Sequence, residues 1–425
     1  HPILMKIPPI YPIAAVRFPR PEELTLKNGI RVFGFNGVQN EIVRLDLVFD
    51  AGSWTESYPM QAEFTAHLLK SGTALLNSFE IEEKIDSFGS TVKCTAGYNT
   101  ITVSVYCMTK YLQQTLAYVI LSLNECIFKE SELNSLKQRK KAGLSVAQEK
   151  NDYIADITFR KLLFGPSHPY GYEKTQAAID GITSEMLLDY YRTFLKPDNC
   201  TVFMAGNYGK KEIDLLDTFI GEWDKPGTLL AKPAIIPALP PFEHPKVHIQ
   251  KEKSVQSSIV IGNLSIHRMH PDFPAFFLLN TIFGGYFGSR LMSNIREEKG
   301  LTYGIHSSMS LLKHQASFHI STDTNLENTT LCLNEIYAEM RRLREEEIPE
   351  EEINVARNYI LGKFLSRTDG AFNQMESFKS YFIENSPIAR FEEITDSIRT
   401  LNGLSLQQTA QKYLQEDNMY EVVVG

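Results

Sequence analysis

Apolar and polar residues alternate in strand fashion along Val43-Arg-Leu-Asp-Leu-Val-Phe49, the two-residue period of a strand with one buried face. The pattern turns helical through residues 61–73 and again over 79–88. A hairpin is predicted at 90–96 and 100–107, followed by a long helix at 112–126. The same succession returns later in the chain. Residues 257–264 read as a strand, 274–283 and 289–298 as helices, 303–310 with 316–322 as a hairpin, and 327–344 as a long helix. The next helices correspond too, one opening at Lys129-Glu-Ser-Glu and the other at Pro349-Glu-Glu-Glu. Both put carboxylates at a helix N-terminus, where the backbone dipole favours them. The acidic run 345–352 is therefore a helix start with a solvated face, not a metal site.

Between the two copies lies the strongest boundary signal. Pro226, Pro233, Pro237, Pro240, Pro241 and Pro245 forbid regular structure and favour a stiff, extended connector. The expected organisation is an N-terminal arm at 1–21, a first domain at 22–224, a linker at 225–246 and a second domain at 247–425. A strand, helix pair, hairpin and long helix written twice predicts an α+β protein of two related domains. Each is expected to be a mainly antiparallel sheet covered by helices on one face.

A length of 425 residues agrees with two or three domains at about 150 residues each. The net charge of −8 and the lack of a dense Lys/Arg stripe argue against nucleic acid as a partner. The nearest basic cluster, Lys137-Gln-Arg-Lys-Lys141, reads as a solvated helix face. No membrane span is expected, since the most apolar stretch, 273–283, is broken by Pro274 and Asn280. The opening residues are interrupted by prolines and carry no small-residue cleavage site, so they do not read as an export signal. The chain opens on His rather than Met, as a trimmed chain does, which leaves both a cytoplasmic and a periplasmic location open. Five cysteines stand singly, and the expectation is buried, reduced thiols, with Cys94 and Cys107 out of register on neighbouring strands.

The chemistry concentrates in Gln61-Ala-Glu-Phe-Thr-Ala-His-Leu-Leu-Lys-Ser-Gly-Thr73. This stretch resembles the active-site helix of the M16 (pitrilysin/insulinase-like) zinc peptidases, His-x-x-Glu-His followed by an apolar run and Gly-Thr. On that alignment His67 matches the second ligand, Glu63 stands at the first, and Ala66 replaces the catalytic glutamate. Zinc hydrolysis needs imidazole ligands and a carboxylate to take a proton from metal-bound water. Ala66 cannot take one. The third ligand of the family falls near Ala142-Gly-Leu-Ser145, where no carboxylate stands; Glu149 is a turn away. No metal is therefore expected in this chain.

Other segments are similar to the same family. They are Leu26-Lys-Asn-Gly-Ile-Arg-Val32, which looks like its opening strand motif, the small-residue turn Ala51-Gly-Ser53, and Phe164-Gly-Pro-Ser-His-Pro-Tyr-Gly171. The most specific runs from Phe283-Gly-Gly-Tyr-Phe-Gly-Ser-Arg290 to Ile295-Arg-Glu-Glu-Lys-Gly-Leu-Thr-Tyr303, as in small two-domain bacterial and mitochondrial members. The resemblance implies a LuxS/MPP-like metallohydrolase fold for each domain. It also implies that Arg296 and Tyr303, seven residues apart, match the arginine and tyrosine with which cleaving members hold substrate. A guanidinium can hold a peptide carbonyl, and a phenol can donate to the oxyanion at the scissile carbon. His267, His270, His306, His314 and His319 show no metal-ligand spacing.

The resemblance thus implies a catalytically incomplete subunit, inactive alone, that binds unfolded peptide for a heterodimeric metallopeptidase. The partner would be an M16 chain with an intact His-x-x-Glu-His helix carrying the zinc; a homodimer is the other assembly. The competing reading is a non-enzymatic structural or peptide-binding scaffold. A lone active protease is weakest, because it needs a base that the helix lacks.

Overall fold

The computed structural model describes residues 13, 15–225, 237–243 and 245–425. Most of the proline-rich connector, residues 226–236 and 244, lies outside the described residues, as do 1–12 and 14 of the N-terminal arm.

Two sheets carry the fold. The first contains β1 (Glu22–Thr25), β2 (Arg31–Asn36), β3 (Ile42–Phe49), β4 (Thr91–Ala96), β5 (Ile101–Met108) and β6 (Cys200–Gly206), in the order β1-β2-β6-β3-β5-β4. The second contains β7 (Lys246–Ile249), β8 (Gln256–Ser265), β9 (Thr302–Leu311), β10 (Ala316–Asn325) and β11 (Tyr420–Val424), in the order β7-β11-β8-β10-β9. Apart from the extra β1, the two orders match strand for strand. Each sheet holds one parallel pair, β2 with β6 and β7 with β11, in an otherwise antiparallel ladder. Of residues 26–32, likened to an opening strand motif, 26–30 turn the β1–β2 hairpin, where Gly29 takes a φ of 88° and Gly29 N–H donates to the Leu26 carbonyl, and Arg31 and Val32 begin β2.

The helices that matter below are α1 (Gln61–Leu68), α2 (Ser78–Ser87), α3 (Leu112–Glu125), α4 (Glu130–Gln148) and α5 (Asn151–Phe164). Val43, Leu45, Leu47 and Phe49 of β3 are fully buried, in one cluster with Phe64, Leu112, Leu116 and Leu133 of these helices. The opposite face of the first sheet receives a helix from the other half of the chain, Ala371–Ile383. Phe33 packs tilted against its Phe378 and Phe203 edge-on against its Phe382, with ring centres 4.8 and 5.4 Å apart. The loan is reciprocal. Ala155, Phe159 and Leu163 of α5 pack on Val260, Tyr420 and Val422 of the second sheet. Each sheet is therefore covered on both faces, one of them by a helix of the opposite half.

That exchange brings charge into the seam. Asp46 on β3 is fully buried; Arg44 donates to it at 2.7 Å, and Lys379 of the Ala371–Ile383 helix pairs with it as well. Of the arm, Val16 and Phe18 are buried, the Phe18 ring 5.2 Å from Phe391, and Arg17 pairs with Asp396 at 2.9 Å. Cys94 opposes Val103 and Cys107 opposes Val43, so register keeps the two sulfurs apart, and all five thiols are free.

Candidate functional site

Helix α1 starts where the chain leaves β3 through Ala51-Gly-Ser53. Gly52 N–H donates to the Tyr190 hydroxyl at 2.7 Å, and a Cβ on Gly52 would lie 2.6 Å from the carbonyl oxygens of Gly97 and Tyr98. Only glycine fits there. The Glu56 carboxylate accepts from the N–H groups of Met60 and Ala62 at 3.0 Å each, satisfying donors that the helix start would leave open. Burial pushes Glu56 up to about 7, against those two donors.

On α1, Glu63 and His67 share the face turned toward α4, one turn apart. Ala66 faces the core and is 1% exposed. Lys140 of α4 reaches between the two polar side chains, its ammonium 2.5 Å from Glu63 Oε1 and 3.3 Å from His67 Nε2. Lys174 closes the other side at 2.6 Å from Glu63 Oε2. The His67 Nδ1 lies 2.8 Å from the Glu63 carbonyl and donates to it in the neutral ring, which leaves the Nε2 lone pair to accept from Lys140. An ammonium thus takes the lone pair and the carboxylate that a metal would use. Burial works against the Glu63 charge, but Lys174 and Lys140 outweigh it and hold its pKa at about 2.

The donor set does not fit zinc. Glu63 and His67 are both engaged, the expected third-ligand stretch Ala142-Gly-Leu-Ser145 holds no carboxylate, and among the described residues no three His, Cys, Asp or Glu side chains gather around one point. The basic cluster at 137–141 is therefore more than a solvated face, because Lys140 turns inward. Its place, one helical turn before the expected third-ligand position, was the available signal.

The cluster makes a pH prediction. A carboxyl held at about 2 in the fold, below its ordinary 4.5, stabilises the protein fully above the ordinary value and stops doing so as pH falls through about 2. Lys140→Met removes one of the two cations, and its cost at neutral pH is expected to be about 1.5–3 kcal/mol, the scale of a hydrogen bond to a charged group. Thermal midpoints measured from pH 3 to pH 7 check this. A variant with the wild-type midpoint throughout would show that the ammonium is not coupled to Glu63.

Arg296 and Tyr303 sit in the second half. Two π-helical stretches, Thr281–Gly285 and Met292–Glu298, flank the start of β9, an arrangement recurrent at functional sites. The second stretch carries Arg296 and is tied down by Asn294, which donates to Glu335 at 3.1 Å and Glu339 at 2.8 Å. Gly300, at a φ of 61°, makes the turn back to Tyr303. The turn brings the two residues together, and Arg296 Nε donates to the Tyr303 carbonyl at 2.9 Å. The Tyr303 side chain is 95% exposed and lines an open cavity of about 870 Å³ with Gly284, Gly285, Phe287, Met292 and Asp323.

A second, smaller cavity of about 340 Å³ lies beside α1, lined by Glu56, Glu63, Tyr98, Arg160, Tyr172 and Lys174 among others. It shares no lining residue with the first. Glu63 and Tyr303 therefore line separate cavities of one chain.

Residues 35–165 match the insulinase (peptidase family M16) model, and residues 181–360 match the model of the peptidase M16 inactive domain. The chain belongs to the M16 peptidase family. Among relatives, it is 22% identical over 400 residues to a Bacillus subtilis protein named as an uncharacterized zinc protease, YmxG, covering 90% of this chain and 92% of that one. It is 19% identical over 355 residues to the non-peptidase homolog YmxG of Helicobacter pylori, covering 80% and 78%. Among solved structures, a peptidase M16 inactive domain from Pseudomonas fluorescens superposes with a TM-score of 0.85 at 22% identity, over 95% of this chain and 98% of that one. The two-domain M16 fold is thereby established. Within that fold this chain has Ala66 where the family has its base, and Lys140 lies between Glu63 and His67.

Proposed function

We propose that this M16 chain is the substrate-binding subunit of a heterodimeric metallopeptidase whose zinc helix belongs to a partner chain. One observation carries the reading. Lys140 occupies the Glu63–His67 face of the chain's own degenerate helix, whereas Tyr303, its carbonyl bonded to Arg296, lines an open cavity. The subunit would consist of domains at 22–224 and 247–425, with Glu63, Ala66 and His67 on the first and Arg296 and Tyr303 on the second. Arg296 would hold a carbonyl of an unfolded peptide through its terminal N–H groups. The Tyr303 hydroxyl would donate to the oxygen that gains charge as the scissile carbonyl becomes tetrahedral. The Helicobacter pylori relative's name, a non-peptidase homolog, supports inactivity of the single chain and favours a scaffold as the second reading.

The purified chain is expected to carry no stoichiometric zinc and to leave casein uncut. Adding an M16 chain with an intact His-x-x-Glu-His helix is expected to produce chelator-sensitive cleavage above that chain's own rate. One tightly held zinc per chain, with proteolysis by the isolated protein, would sink the proposal. A complex without any gain in cleavage would favour the scaffold.

A further inference from the structure

Phe287 lines the second-half cavity and is 65% exposed. The local backbone puts it there. Tyr286 is extended, with φ −153° and ψ 173°, so neighbouring side chains point in opposite directions. Tyr286 turns inward onto Tyr359, ring centres 5.0 Å apart, and Phe287 turns outward. Gly288 permits this, since a Cβ there would come within 2.9 Å of the Tyr286 ring.

The outward ring meets one cation. The Arg296 guanidinium carbon lies 5.0 Å from the Phe287 ring centre and 6.0 Å from that of Tyr303. Its Nε is fixed on the Tyr303 carbonyl at 2.9 Å, and its Nη1 is 3.9 Å from Glu297. A long side chain held at Nε alone still swivels at its end. A ring beneath the guanidinium removes that freedom while consuming no N–H group, which leaves the terminal donors for a ligand.

We propose that Phe287 is a positioning residue for Arg296, an exposed aromatic platform that presets the guanidinium for a peptide carbonyl. The inference rests on the reading of Arg296 as a peptide-binding residue. It differs from a simple apolar contact with substrate in needing a π face rather than mere bulk.

Fluorescence anisotropy with a fluorescein-labelled β-casein fragment, an unfolded peptide, tests it on the intact chain. Phe287→Leu keeps apolar bulk but loses the ring, and binding should weaken about two- to fivefold, the size of an exposed cation–π contact. Phe287→Tyr should bind as the wild type does. In an Arg296→Ala background, Phe287→Leu should cost nothing further. Wild-type affinity in Phe287→Leu, failure of Phe287→Tyr to restore binding, or full additivity with Arg296→Ala would each overturn the assignment. Additivity would mean that the ring touches the peptide itself. If Arg296→Ala alone binds as tightly as the wild type, the reading of Arg296 fails first and takes the platform with it. Exposure of Phe287 keeps the fold out of the result, which unchanged thermal midpoints verify.

Discussion

Asp46→Asn is expected to destabilise the chain by about 3–5 kcal/mol, the usual cost of removing one partner from a buried ion pair. Asp46 is 0% exposed on the face of β3 that receives the Ala371–Ile383 helix. Arg44 donates to it through Nε at 3.1 Å and Nη2 at 2.7 Å, and Lys379 pairs with it from the other half of the chain. Asparagine keeps the shape but leaves two half-buried cations facing a neutral amide, with Glu376 at the seam's edge as their remaining counter-charge. Burial by itself would raise the Asp46 pKa, yet the Arg44 and Lys379 contacts win and hold it below its ordinary value. A depressed carboxyl stabilises the fold above its unfolded pKa and ceases to do so as pH falls through the folded one. The variant should therefore lose stability at neutral pH and also lose part of the wild type's acid sensitivity. Urea unfolding followed by Trp54 and Trp223, the two tryptophans of the chain, provides the measurement. An unchanged midpoint at pH 7 would show that the seam is held by Phe33, Phe203, Phe378 and Phe382 alone.

If the proposed heterodimer holds, Tyr303→Phe is expected to lower its turnover by about 10²–10³-fold, the usual cost of one oxyanion donor. The substitution removes one oxygen from a side chain that is 95% exposed, so folding and assembly should be untouched. Arg296→Ala differs, because on the proposed reading the guanidinium would hold substrate, and it also bonds the Tyr303 carbonyl. It should raise KM as well as lower kcat, whereas Tyr303→Phe should act on kcat with little change in KM. Steady-state kinetics on reconstituted pairs separate the two. Full activity in both variants would make the pair surface decoration and leave the scaffold reading standing.

The elements were largely legible in the chain. The alternation from Val43 to Phe49 is β3, the predicted long helices are α3 and Thr329–Glu345, and the duplicated order of strand, helices and hairpin is the duplicated strand order of the two sheets. These features are local, set by a period of two or 3.6 residues and by where glycine and proline interrupt it. The absence of a proton acceptor at position 66 was legible too, because alanine has none in any fold.

What covered the second face of each sheet was not legible. The sequence shows that Arg44 and Asp46 lie opposite Leu45 and Leu47, which reads as a solvated face; only the arrival of Lys379 from more than 300 residues away makes a buried aspartate tolerable. Lys140 follows the same rule. In the sequence it is one lysine among several on a helix, and its inward turn exists because α1 and α4 bring Glu63, His67 and an ammonium within hydrogen-bonding distance. Local periodicity fixes which side of an element is apolar. Which charges end up facing each other depends on long-range packing, and that is what sets a lysine between Glu63 and His67.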